Sequence, residues 1–158
     1  MPELDGNQSL AIVSCNSRFF KKRIDNIIYE LEPQGESFRS LLYVNQLIAT
    51  SLYRRVCWEL VRGYDESMKN GFEDWEFWLA ITKTGWKYKI VPKFLFYYRK
   101  SKKSMLVDTI SNYAEINKEY IFTKHKDVYT QDFDNCIIVL FYELKMILLS
   151  EPKINNSI

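Results

Sequence analysis

The 158-residue chain is 47% hydrophobic, 16% aromatic and 27% charged, which excludes a disordered polymer and fits one domain with a sizeable core. Its formal net charge of +2 is too small by itself to argue for nucleic acid as a partner. Cys15, Cys57 and Cys136 are odd in number, widely spaced and free of any C-x-x-C pair, which argues against a disulfide framework or a zinc knuckle and for buried thiols in a reducing compartment.

The opening Met1-Pro-Glu-Leu-Asp-Gly has neither a basic n-region nor an apolar h-region, so no signal peptide is expected. Residues 11–15, Ala-Ile-Val-Ser-Cys, read as a short buried strand, and residues 16–36 as mixed and polar with a turn at Pro33 and Gly35. Ser37-Phe-Arg-Ser-Leu-Leu opens a short helix. Residues 47–53 read as a second buried strand, and residues 54–61 have helical spacing with Val56, Leu60 and Val61 available to one apolar stripe.

The clearest helix spans residues 73–84, with acidic residues in its first turn, Lys83 in its last and Gly85 after it as a C′ residue. Trp86-Lys-Tyr-Lys-Ile-Val then alternates as a strand, Pro92 breaks it, and Phe94-Leu-Phe-Tyr-Tyr makes another extended run. From Ser104 on the pattern is helical, in one segment to about Lys124 and another from about Asp134 to Ser150. Glu143 and Lys145 interrupt the apolar run that begins at Cys136, so this is a packed or interfacial helix rather than a membrane span. The order of elements predicts an α/β fold, with fewer strands than the usual five or six.

The sharpest chemical feature is Gly71-Phe-Glu-Asp-Trp-Glu-Phe-Trp78. Glu73, Asp74 and Glu76 crowd one turn beside Trp75, Phe77 and Trp78. Burial against an indole raises a carboxylate's pKa, and repulsion from Glu73 acts on Asp74 in the same direction. The helix N-terminus opposes both, and the sequence leaves the winner open. Acidic first turns are common, and taken alone this one also reads as an ordinary start to an aromatic-packed helix.

The longer string is more specific. Asn45-Gln-Leu-Ile-Ala-Thr-Ser-Leu-Tyr-Arg-Arg, Gly63-Tyr-Asp-Glu and Gly71-Phe-Glu-Asp-Trp, followed by Gly85-Trp, Ile90-Val-Pro, Tyr98-Arg and Ser104-Met, resemble family 2 glycosyltransferases of the GT-A fold over about residues 10–130. The resemblance implies a partial GT-A-like mixed sheet flanked by helices over residues 1–103, carrying the acceptor side and the catalytic base, and a helical extension over 104–158. By it Asp74 is the general base of an inverting sugar transfer, Glu73 orients the acceptor or Asp74, and Trp75 stacks on a sugar; Trp78 is mainly structural. Asp65 and Glu66 cap a turn.

Every charged residue from Lys83 to Lys103 is basic, the pattern of a solvated strand edge. By the resemblance, Arg99 stabilises leaving-group charge and Lys103 binds substrate beside it. The same charge would suit an anionic membrane or a lipid diphosphate. Where many members of the family carry a metal-binding His, this chain has Ser101; its one histidine, His125, reads as a surface helix-end residue. Asp132-Phe-Asp134 is out of place for the family's D-x-D motif and reads as coincidence.

Donor-binding units before residue 10 are therefore expected to be missing, and the divalent Mg or Mn ion usual for the family has no ligands in this chain. The implied partners are a nucleotide-sugar, a glycan or lipid-linked acceptor, and a nucleotide-binding chain or a second copy; no nucleic acid is expected. The implied location is the cytoplasm, or the inner face of the membrane. Two other readings remain: a non-catalytic module that binds glycans or a partner, and a membrane-surface protein using the 136–149 helix with the basic segment.

Overall fold

The structure, a computed structural model, describes residues 2–101 and 104–150, and side chains in the last helix only in part. The chain divides into two compact units, Met1–Lys124 and a second from His125 onward.

The first unit contains α1 (Pro2–Asp5), β1 (Leu10–Phe20), β2 (Ile27–Leu31), a 3-10 turn (Phe38–Leu41), β3 (Leu52–Tyr53), α2 (Arg55–Val61), α3 (Glu73–Thr82) and β4 (Lys87–Arg99). Then α4 (Met105–Asp108) runs through a π turn (Thr109–Tyr113) into α5 (Ala114–Lys124). Leu10, Ala11 and Ile12 are buried, and this apolar start makes β1 the central strand. One edge of β1 carries β4 in parallel, from Leu10 opposite Lys87 to Phe20 opposite Arg99. The other edge is shared by two antiparallel partners, β3 opposite Ile12 and Val13 and β2 opposite Ser17 to Phe20. The fold is mixed α/β, an open sheet with flanking helices.

Helix α3 is apolar nearly all round and therefore central. Trp75, Phe77, Trp78, Leu79 and Ile81 are all buried. Tyr53 meets Phe77 and Trp78 edge-on at 5.1 and 5.7 Å, and Tyr64 lies 4.3 Å from Phe77. The π turn belongs to the same core, because Thr109 is buried under the loop that leads into α3.

Several expectations change. Residues 47–53 are a strand only at Leu52 and Tyr53, because side chains capture the backbone first. Asn45 Oδ1 accepts from the Leu47 N–H at 3.1 Å, and Ser51 Oγ donates to the Ile48 carbonyl at 2.7 Å. Pro92 does not end its strand. Val91 pairs with Cys15 and Phe94 with Asn16, so Pro92 and Lys93 form a bulge on a strand whose outer edge needs no proline N–H. The mixed stretch after Cys15 holds the rest of β1 and all of β2. The stripe foreseen on α2 is not packed: Val56 and Leu60 are exposed and Cys57 is the buried residue.

In the second unit, α6 (Lys126–Gln131) precedes α7 (Phe133–Ser150); the sequence showed the second and not the first. His125 begins α6 but is buried, against the surface reading. Flanking lysines suggested water, and nothing in the local pattern recorded the burial. Asp132 is buried between the two helices, where it accepts from Asn135 Nδ2 at 2.8 Å and its carbonyl accepts the Cys136 N–H. This structural task accounts for half of the Asp132-Phe-Asp134 string. Among the described residues, no helix is long and apolar enough to cross a membrane.

Candidate active site

The site is built around the entry to α3. Gly71 and Phe72 take successive left-handed conformations, φ 92° and 65°, which swing the chain abruptly into the helix. A non-glycine residue at positive φ is strained and persists only where its surroundings hold it. Here the π turn and α5 do so. Thr109 Oγ1 donates to the Asn70 carbonyl at 2.8 Å, and Asn117 Nδ2 donates to the carbonyls of Asn70 and Gly71 at 3.1 and 3.0 Å. A Cβ on Gly71 would overlap the Thr109 side chain.

This clamp places Asp74 at the wall of a cleft of about 380 Å³. Asp74 Oδ1 accepts from the Trp75 backbone N–H at 2.8 Å, and Oδ2 accepts from Asn45 Nδ2 at 3.2 Å. Burial pushes its pKa up, the Trp75 N–H opposes, Glu73 repulsion raises it again, and the Asn45 amide opposes; the result is about 6. The contest left open by the sequence is decided by burial. At neutral pH such a carboxylate is mostly ionised yet basic enough to accept a proton.

The cleft floor is aromatic. Tyr29, Phe19 and Tyr98 sit side by side on three neighbouring strands, with centroids 5.4 and 5.3 Å apart, and Phe96 follows Tyr98 at 6.3 Å. Phe19, Phe96 and Tyr98 line the cleft, residues 45–50 form much of one wall, and Gly71, Phe72, Glu73, Met105 and Thr109 contribute to the rest. A second, mostly apolar cavity of about 370 Å³ shares Ile48, Thr50 and Phe96 with it and extends toward Ser14 and Cys15.

Of the residues singled out from sequence, Asp74 and Glu73 lie together on the cleft. Trp75 is a core residue, 4% exposed, whose Nε1–H donates to the Leu41 carbonyl at 2.6 Å. Its ring packs edge-on to Phe72 at 5.5 Å, so the stacking role expected of it is corrected: it fixes the helix that carries Asp74 and offers no open face. Trp78 is fully buried, in keeping with its structural reading. Arg99 is exposed at the end of β4, one residue past Tyr98, and does not line the cleft. Lys103 lies outside the described residues. Asp65 caps its turn, accepting from the Ser67 N–H and Oγ at 2.9 and 2.6 Å, with Glu66 exposed beside it.

Sequence reasoning gave no role to Phe19, Asn45, Phe96, Thr109 or Asn117. The alternation of 94–98 would have set Phe96 and Tyr98 on one face, but nothing local pairs them with Phe19. Both Asp74 oxygens already accept N–H groups, and among the described residues no three His, Cys, Asp or Glu side chains gather to hold a metal. Compared with models of known protein families and with curated proteins, the chain matches none.

Proposed function

We propose that these residues are the acceptor-binding, base-bearing part of an inverting glycosyltransferase of the family 2 type, acting with a nucleotide-sugar-binding part that lies outside them. The observation that carries the reading is Asp74: a carboxylate with its pKa near 6, held on an aromatic-floored cleft large enough for a sugar. An acceptor sugar lies over Phe19 and Tyr98, its apolar ring face toward the rings and its hydroxyls toward Asn45, Glu73 and Asp74. Asp74 takes the proton of one hydroxyl as that oxygen attacks the donor's anomeric carbon. The bond to the nucleoside diphosphate breaks on the opposite side, inverting the configuration. The acceptor is a glycan or a lipid-linked glycan, and the reaction belongs to the cytoplasm or the inner face of its membrane.

A second reading, a glycan-binding module without chemistry, draws on the same aromatic floor. One experiment separates them. The chain is combined with a separately expressed nucleotide-binding half of a family 2 glycosyltransferase, and transfer from a nucleotide-sugar is followed by product mass. Asp74→Asn is expected to abolish transfer while leaving acceptor binding intact. Undiminished transfer by that variant sinks the catalytic assignment, and acceptor binding with no transfer by the native pair favours the module.

A further inference from the structure

One end of the sheet gathers charge that the chain order keeps apart. β1 ends at Phe20 and turns through Lys21, Lys22, Arg23 and Ile24 toward β2; β4 ends at Arg99 directly opposite Phe20, and the Lys100 N–H donates to the Phe20 carbonyl at 2.9 Å. Lys21, Lys22, Arg23, Arg99 and Lys100 are all exposed there, with Asp25 set against Arg23 at 3.3 Å. Lys102 and Lys103 follow in the sequence. Met105 and Leu106 line the same cleft as Phe19 and Tyr98, next to the two strand ends. From there Met105, Leu106, Val107 and Ile110 are 63, 37, 44 and 60% exposed, and Ile24 at the β1–β2 turn is 59% exposed.

Single exposed apolar residues are ordinary, but a run of them beside converging cations is an interaction surface. Soluble phosphate or nucleic acid would use the cations and leave the apolar side chains in water. An anionic bilayer uses both, headgroups meeting the lysines and arginines while the apolar side chains enter the headgroup–acyl boundary. We propose that residues 21–24, 99–100, 105–107 and 110 dock this unit on an anionic lipid bilayer. Because Met105 and Leu106 also line the Asp74 cleft, docking opens that cleft at the bilayer surface, where the sugar of a lipid-linked acceptor would lie. This last step rests on the glycosyl-transfer reading; the docking does not.

The test is co-sedimentation of the full chain with phosphatidylcholine vesicles, with and without phosphatidylglycerol, at low and high salt. The chain is expected to pellet with the anionic vesicles only, and less as salt rises. Neutralising three cations in Lys21→Gln/Lys22→Gln/Arg23→Gln is expected to lower partitioning about 100-fold. Val107→Ser/Ile110→Ser, which avoids the cleft residues, is expected to lower it about tenfold. Circular dichroism checks that both variants keep the native melt. No pelleting at low salt overturns the proposal, as does unchanged pelleting by the triple variant, which would place the contact elsewhere, on α7 for example. Displacement by duplex DNA with no effect of Val107→Ser/Ile110→Ser makes nucleic acid the partner instead. Transfer to a soluble acceptor without vesicle binding defeats the docking alone; vesicle binding with full transfer by Asp74→Asn defeats the base assignment alone.

Discussion

Two acidic regions nine residues apart have opposite electrostatics. At the Asp65 turn, burial raises the carboxyl's pKa, but Lys124 at 2.6 Å, both donors of Ser67 and the Tyr120 hydroxyl hold it well below the usual carboxylate range. At the start of α3, Asp74 receives only the neutral N–H groups of Trp75 and Asn45 beside a repelling Glu73, and burial carries it up to about 6. A cation reaching in from the end of α5 makes the first region structural. Its Nζ also pairs at 2.8 Å with Glu76, which is buried two residues past Asp74. The carboxylate left to neutral donors is the one that can exchange a proton with a ligand.

The sharpest break of that comparison is Asp74→Asn. On the proposed glycosyl-transfer reading, removing a general base costs about 10²- to 10⁴-fold in rate, so transfer should fall by that much while the fold stays intact. Stability should move the other way. Since the folded-state pKa lies above the ordinary value near 4, the carboxyl's contribution is full below pH 4 and is lost as pH rises through about 6, up to about 3 kcal/mol. Denaturant titrations across this window should show native stability declining with pH and the variant staying flatter and more stable at pH 7. The opposite slope would mean that Asp74 is not desolvated.

Next in size is Lys124→Ala, which strips the shared cation from Asp65 and the buried Glu76. Because Lys124 is itself 37% exposed, the loss should be about 1 to 3 kcal/mol in chemical denaturation. For Asp65 the pH sign is reversed: its contribution is present above the ordinary carboxylate pKa and disappears as pH falls through its depressed folded value. A loss near zero would show that the turn does not need its lysine. Gly71→Ala, at φ 92° and against Thr109, should cost roughly 1 to 3 kcal/mol and slow transfer by displacing Asp74. A melt unchanged from native would show that the clamp yields freely. The smallest effect is expected from Asn45→Ala. Losing its amide should shift the Asp74 titration further upward, as followed by carbon-13 NMR of the carboxyl; a downward shift would contradict the assigned hydrogen bond.

Legibility followed the range of the forces involved. Helix α3 was plain in the sequence because its acidic start and apolar body are local. It runs over Glu73–Thr82, two residues shorter than its pattern suggested. The strand over 47–53 was misread because its apolar run was visible while the turn-forming bonds of Asn45 and Ser51 were not. Pro92 misled in the other direction, since a bulge can absorb a residue that propensity says must end a strand. Trp75 stood next to Asp74 in the chain and still faced the core, because successive helical residues point about 100° apart.

By itself the sequence determined the α/β class, the helix that carries Asp74 and the carboxylates worth testing, all set by neighbours within a turn or two. The tertiary structure decided which carboxylate is paired and which is left basic. It also laid Phe19 beside Tyr98 and brought Lys21 to Arg99. Those outcomes depend on desolvation and on contacts between residues about 30 to 80 positions apart, and no local pattern records which distant groups will share a surface once water is excluded.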